Sequence, residues 1–405
     1  MRKIALGILI VAILGLCTVV LATPGGNTGR YFIASNNGIL RAITGVQNNF
    51  ENGYTTELTA GQLKALERLT SRFGVEIEEV PLYYVLAKPI CNNNGICEPQ
   101  LGENASCANC KGGEEAVSSS RSCYPAQQIP WGIVKVNGGS GGVGVDVAVL
   151  DTGVYTSHLD LSRRVEQCKD FTRGFRIRKT CSDGYGHGTH VAGTVLADGG
   201  VDGLGIYGVA PQADLFAYKV CNDSGTCWSD DIATAIRHAA DQKAEIISMS
   251  LGADTQSSLI KNAIDYATGK GVLIVAAAGN DGPAIGSIDY PGANVKVIAV
   301  GAIDSFEAVP DWSSRGVNDG DYIVETREVE FGAPGVEVES TWKDGCYLFG
   351  AGTSMATPHV SGLAAKLWQG TAALTRTYLQ NLAKNHDLYT IGDDVATGFG
   401  LPVAQ

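Results

Sequence analysis

Apolar and polar positions fall into two regimes along this chain. From residue 123 onward, short and nearly continuous apolar runs recur at 145–150, 213–220, 246–251, 271–278 and 297–300. Runs of that length with almost no polar interruption predict strands buried on both faces. Between them, 189–196, 230–243 and 257–270 carry helical spacing. Strands alternating with helices predict an α/β fold: a parallel sheet in a three-layer arrangement, with helices on both faces. In such a sheet the site lies beyond the carboxyl ends of the strands. Before residue 90 the pattern describes something smaller. Residues 31–34 suit a strand, and Thr59-Ala60-Gly61-Gln62 is a capping box. It opens a helix through Leu63, Leu66, Leu69 and Phe73. Residues 75–78 alternate, and 83–87 are apolar and extended. A small α+β unit over about 30–88 is predicted ahead of the large one.

The first residues belong to neither regime. Met1-Arg2-Lys3 precedes a long apolar run, and Val20-Leu21-Ala22 ends in small residues. This reads as a secretory signal over 1–22, with an uncleaved anchor as the alternative. Leu16 before Cys17 is too large for a lipoprotein cleavage position. Secretion then changes the meaning of the cysteines. Eleven less Cys17 leaves ten, an even number that suits disulfides in an oxidising compartment. Cys91, Cys97, Cys107 and Cys110 form a separate module within 89–121. Two disulfides fit it better than a zinc site, and a polar linker follows to Arg121. A net charge of −12 argues against nucleic acid and suits a protein that binds cations.

Candidate chemistry sits at the ends of these elements. Ser354 lies among small residues in 350–359, where Val360, Leu363, Ala364, Leu367 and Trp368 then continue with helical spacing. Pro358 is expected in the first turn of that helix, where its missing N–H costs nothing. Ser354 is thus held at a helix N-terminus, where free N–H groups and the dipole favour an oxyanion. Asp151 follows the strand 145–150 directly, His187 enters a helix between glycines, and Asn280 ends the run 271–278. A serine is a weak nucleophile until a histidine takes its proton and a carboxylate holds that histidine. An amide such as Asn280, with the Ser354 N–H, can hold the resulting oxyanion. Taken singly, these residues are ordinary turn, cap and loop residues.

Three segments together carry a resemblance. Asp151-Thr152-Gly153, the run 187–193 and the run 352–359 closely resemble the signature blocks of the subtilisin family of serine proteases. The likeness spans Cys123 to about Ala404, within a catalytic domain over 122–405. It implies a secreted serine endopeptidase that is made as an autoprocessed zymogen and acts on protein or peptide substrates as a monomer. Asp151, His187 and Ser354 would form the triad, with Asn280 as oxyanion donor and His190 and His359 structural. The unit over 23–88 resembles the family's propeptide, an intramolecular inhibitor whose last strand would occupy the cleft. A non-catalytic module on the same fold would need a broken triad, and none is seen. A metal hydrolase using His187 and His190 lacks the glutamate and third ligand of zinc motifs.

By the same resemblance, substrate pairs as an added strand with Ser250-Leu251-Gly252 and with the loop near Gly225. Asp281 and Asp289 match positions bounding the pocket for the residue before the scissile bond. If both line it, basic side chains gain charge-assisted contacts there; otherwise both face water. A structural calcium site is implied at Gln127, Asp160 and Asp202, with carbonyls near Gly200, Leu204 and Ile206. Asp198 competes with Asp202. Cys221 with Cys227, Cys168 with Cys181 and Cys123 with Cys346 could pair, unless they are shuffled with the upstream module. Maturation would cut between about Tyr84 and Lys88, or after Lys111 or Arg121 if a basic residue directs it. The acidic stretch 317–330 exceeds the usual family length.

Overall fold

The runs expected as buried strands all lie in one seven-stranded sheet of the computed structural model, which describes residues 28–70, 75–87, 123–174 and 176–405. Its strands are β6 (Asp146–Asp151), β7 (Val165–Asp170), β8 (Asp214–Lys219), β10 (Ile246–Met249), β12 (Leu273–Ala277), β13 (Ile298–Ile303) and β14 (Phe331–Pro334). They lie in the order β14-β13-β12-β10-β6-β8-β7, every neighbouring pair parallel. Side chains alternate between two apolar layers, as a strand's period of two requires. Val147 and Val149 join one core, Ala148 and Leu150 the other. The first core is closed by α4 (His187–Leu196), α7 (Thr353–Lys366) and α8 (Ala372–Ala383), the second by α5 (Ser229–Asp241) and α6 (Ser258–Gly269). Each fully buried Val, Leu or Ile contributes about 1.5–3 kcal/mol to holding these layers. Both edge strands escaped the apolar reading: β7 because it is mostly half-buried polar residues, and β14 because it is four residues long and carries Gly332 and Pro334.

The chain leaves central β6 for β7 and β8 on one side, and later builds β10, β12, β13 and β14 on the other. β6 therefore marks the point where strand order reverses. Such a point opens a crevice at the carboxyl ends of the strands. Asp151 ends β6, and Ser250 directly follows β10.

Residues 28–79 form the expected small unit. Its sheet runs in the order β2 (Asn49–Phe50), β3 (Gly53–Thr59), β1 (Thr28–Ile33), β4 (Ile77–Glu79), all antiparallel. Ile33, Tyr54, Leu58 and Leu66 make its core. The capping box of α2 (Ala60–Thr70) forms in both directions: Thr59 N–H donates to Gln62 Oε1 at 2.8 Å and Gln62 N–H to Thr59 Oγ1 at 3.3 Å. Phe73 lies outside the described residues, as do the leader, the cysteine module and its linker.

This unit docks on the start of α5. Arg30 Nη1 donates to Asp230 Oδ1 at 3.0 Å and to Asp231 Oδ2 at 2.9 Å. Asn48 Nδ2 donates to both carboxylates and Thr55 Oγ1 to Asp230, all buried. Burial, and then neighbouring Asp230, push Asp231 up to about 8. From this unit β5 (Leu82–Val85) departs and becomes the middle strand of a second sheet. It pairs antiparallel with β9 (Thr226–Trp228) and with β11 (Leu251–Gly252).

Cys123 pairs with Cys346, Cys168 with Cys181 and Cys221 with Cys227. Among the described residues no helix is long and apolar enough to cross a membrane. The stretch 317–330 is tied to the C-terminal segment by Asn318 Nδ2, which donates to Asp393 Oδ1, and is closed on itself by the same amide's bond to the Val329 carbonyl.

Candidate active site

The acid and the histidine meet because β6 ends where α4 begins. The ring nitrogen Nδ1 of His187 lies 2.8 Å from Asp151 Oδ1, both buried. A carboxylate can only accept, so Nδ1 is the donor and Nε2 keeps its lone pair. Nε2 has no hydrogen-bond partner. Thr152 N–H also donates to Asp151 Oδ1, at 2.7 Å. The approach demands glycine at 188, where a Cβ would lie 2.2 Å from the Gly153 carbonyl oxygen and 3.0 Å from Asp151 Cβ.

Sequence reasoning missed the residue that binds the two loops together. Asp183 Oδ1 accepts from Thr152 Oγ1, Tyr185 N–H and Gly186 N–H, and Oδ2 from Thr189 N–H and Oγ1, at 2.6–3.0 Å. It ties the residue after the acid to the entry of the histidine helix. An aspartate before glycine reads as a turn former, so only the pairing of distant segments identifies it.

Ser354 is the second residue of α7, behind Gly352 at φ 136°. Pro358 corrects an expectation. It stands in the second turn, not the first. Its missing N–H frees the Ser354 carbonyl, which accepts instead from Ser250 Oγ at 2.8 Å. Ser354 Oγ in turn donates to the Ser250 carbonyl at 2.9 Å. The nucleophile candidate is therefore hydrogen-bonded at β10's end and not to His187 Nε2.

Asn280 is oriented by its neighbour in space. Its Oδ1 accepts from Thr353 N–H at 3.0 Å and from Thr353 Oγ1 at 3.1 Å. That fixes the amide so that Nδ2 faces the cleft, where it donates to the Leu86 carbonyl at 2.8 Å. Ser354 N–H reaches the same oxygen at 3.3 Å. The chain's own Leu86 thus sits with its carbonyl between the two expected oxyanion donors. The segments matched to substrate pairing hold the strand behind it: Leu86 N–H donates to Ser250 O, Val85 N–H to Gly225 O, and Val85 and Tyr84 register with Leu251 and Gly252.

Three carboxylates gather beside this strand. Oxygens of Asp254, Asp281 and Asp289 lie within 4.8 Å of one another. Asp289 is buried, and Asp254 and Asp281 are exposed. Burial, then Asp281, then Asp254 push Asp289 up to about 8. Asp254 had no sequence signal, since it joins the pair only through the bridge between Ala253 and Tyr290.

The residues expected around a cation also converge in part. Asp160 Oδ2 accepts from Ile206 N–H at 2.9 Å and Tyr347 Oη–H at 2.8 Å, while buried Oδ1 has no partner. A Cβ at Gly200 would lie 3.0 Å from Asp160 Oδ1 and 3.3 Å from Asp202 Oδ1, so both acids face one spot. Leu204 N–H donates to Asp202 Oδ1. The Gly200 and Ile206 carbonyls accept from Arg163 and Gly199 N–H and keep a second lone pair each. Asp198, the competitor, is taken by Arg163 and Arg164. Gln127 is exposed, and its N–H donates to Glu339. Its neighbour Gln128 reaches the loop at the Gly203 carbonyl.

The other two histidines of the signature runs are buried away from the cleft. His190 Nε2 lies 2.9 Å from the Val338 carbonyl oxygen and 3.0 Å from that of Leu348. Burial lowers His190 to about 3 and His359 to about 4. His190 therefore stays neutral, with its Nε2 hydrogen committed to carbonyls.

A serine, a histidine on a carboxylate and two donors on one carbonyl, at the switch point of a parallel sheet, define the class: a serine hydrolase acting on acyl groups. Residues 142–400 match the model of the subtilase family, so the chain belongs to that family of serine endopeptidases. A subtilisin of Bacillus sp. (strain TA39) is 44% identical over 381 residues, covering 87% of this chain and 84% of that protein. Subtilisin Savinase of Lederbergia lenta is 38% identical over 286 residues, covering 69% of this chain and 98% of that protein. Among solved structures, sphericase superposes with a TM-score of 0.68 at 52% identity. It covers 69% of this chain and 100% of its own.

Proposed function

We propose that this chain is a secreted subtilisin-type endopeptidase that cuts itself between Leu86 and Ala87. Asp151, His187 and Ser354 carry the reaction, with Asn280 as oxyanion donor. The observation that carries this reading is the Leu86 carbonyl, which accepts from Asn280 Nδ2 and Ser354 N–H. Rotation about χ1 takes Ser354 Oγ from the Ser250 carbonyl to His187 Nε2. Oγ then adds to the Leu86 carbonyl carbon while its proton passes to Nε2. The charge left on oxygen falls to the two donors. Nε2 returns the proton to the leaving amine of Ala87, and water repeats the cycle to free the Leu86 carboxylate.

On this reading residues 1–22 direct export, 23–86 form the propeptide that inhibits until it is removed, and the cysteine module stays on the mature monomer. Calcium fits the Asp160 loop: the orphaned buried Asp160 Oδ1 and the facing Asp202 are hard anionic oxygens. With Gln127 and the carbonyls of Gly200, Leu204 and Ile206, they would hold it. The ion supplies charge neutralisation that pins the loop and takes no part in the reaction.

The test is N-terminal sequencing of secreted protein alongside labelling by a fluorophosphonate. Ala87 is expected at the new N-terminus and the label on Ser354. A Ser354→Ala chain remains uncut and unlabelled, its self-cleavage slowed about a millionfold, the magnitude established for a subtilisin triad. A Leu86–Ala87 bond that stays intact while the chain is cut only after Lys111 or Arg121, or processing that survives in Ser354→Ala, would refute self-cleavage at Leu86.

A further inference from the structure

Leu86 seats its carbonyl between the oxyanion donors, so its side chain marks the pocket for the residue on the acyl side of the cut. Gly252 reports what surrounds that side chain. A Cβ there would lie 2.8 Å from Leu86 Cδ1 and 3.0 Å from Asp289 Oδ2. Leucine's apolar tip and a carboxylate thus flank the same point. Gly279 packs against the same carboxylate, where a Cβ would lie 2.8 Å from Asp289 Oδ2. Asp289 is only 2% exposed, and its Oδ1 has no hydrogen-bond partner. Asp281 and Asp254 bring two more carboxylates within 4.8 Å. No positively charged side chain is paired with any of the three among the described residues.

A buried carboxyl group without a donor, beside two acids, is costly to ionise unless something cationic completes it. The occupant in this structure is an alkyl group that cannot. We infer that Asp254, Asp281 and Asp289 form a cation-selective floor to this pocket, so that arginine and lysine before the scissile bond are preferred and Leu86 is a charge mismatch. The inference rests on the proposed active site and names its substrate class. A mismatch at the chain's own junction has a use. Intramolecular placement supplies the effective concentration for one cut. The freed strand then lacks the contact that would keep it in competition with basic substrates.

The test uses the self-processed enzyme, its active fraction counted by fluorophosphonate. Matched peptides differ only before the scissile bond: arginine against citrulline, and lysine against norleucine. A charge-assisted contact predicts arginine over citrulline by about 10- to 100-fold in kcat/KM. That ratio falls toward one in Asp289→Asn, and partway in Asp281→Asn and Asp254→Asn. The last two residues are exposed and keep the test available if the buried substitution impairs folding. Ratios near one in the wild type, or a ratio left undiminished in Asp281→Asn/Asp254→Asn, would overturn the inference. So would a preference for leucine that depends on added calcium and disappears in Asp289→Asn, since the cluster would then hold a metal ion. Enzyme that takes the label and cuts leucine peptides but not arginine peptides removes this inference alone. Enzyme that neither labels nor cuts removes the active-site reading and the inference with it.

Discussion

Two walls of the cleft use buried aspartate in opposite ways. On the wall of β6 and α4, Asp183 accepts from five donors, and nothing of it is left for a ligand. On the wall of the Asn280 loop, Asp289 is more deeply buried still, yet one oxygen has no donor and its neighbours are acids. The same contrast recurs farther out. Asp230 and Asp231 are met by Arg30, Asn48 and Thr55, whereas Asp160 keeps an unmet oxygen. A buried carboxylate is tolerated only when its charge is answered. Where the fold supplies the answer, the residue is architecture. Where it does not, the acid must keep a proton or be met by a cation from outside, and the residue is a candidate binding group.

Three substitutions and one chelation can break this contrast. Removing Arg30 from the met pair has the largest expected effect, since it strands two buried carboxylates. Arg30→Ala, made in the uncut Ser354→Ala chain, is expected to cost about 3–5 kcal/mol of docking of the first unit. Urea unfolding would show this as an early separate transition, and a single unshifted transition would contradict it. Next is the unmet Asp160. With calcium a thousandfold above its Kd, chelation is expected to remove about 4 kcal/mol, read as a lower Tm in EDTA. An unchanged Tm would place Asp160 among the answered acids.

Asp183 comes third. Asp183→Asn replaces an acceptor with a donor facing Thr189 N–H, a cost of about 1–3 kcal/mol. Because it positions the histidine loop and does not touch the Leu86 strand, kcat should fall about 10- to 100-fold with KM nearly constant. A change confined to KM would argue against positioning. The smallest effect is at Asp289. Its native pKa lies near 8, above an unfolded value of about 3.9, so the native state holds a proton that the unfolded chain has lost. Stability from this group is full below the unfolded value and is lost as pH rises toward 8. Asp289→Asn removes that slope, gaining about 1–2 kcal/mol at pH 9 relative to pH 5 after allowance for relaxation and solvent. Parallel pH profiles for variant and wild type would count against it.

Much of the large unit was legible in the chain. Five buried strands wrote themselves as apolar runs because a strand covered on both faces has no polar side to show. The capping box at Thr59 was equally plain, being local chemistry between residues three apart. The edge strand β7 was not, since a half-exposed strand carries polar residues like those of a loop. Pro358 was placed a turn too early because a proline in the second turn is tolerated only when another donor takes the orphaned carbonyl. Here that donor is Ser250, a residue 104 positions away.

Sequence by itself determined the buried strands and the helices between them, and it singled out Asp151, His187, Asn280 and Ser354 as candidates, because each lies at a strand end or helix start and together their segments resemble the signature runs of one family. Only the tertiary structure decided what those residues face. It set Leu86 as the residue whose carbonyl meets Asn280 and Ser354, and Asp183 as the tie between two loops. It also brought Asp254 in as the third acid beside Asp281 and Asp289. These are contacts between segments far apart in the chain. Their partners are chosen by how the layers pack, and no spacing along the chain encodes that choice.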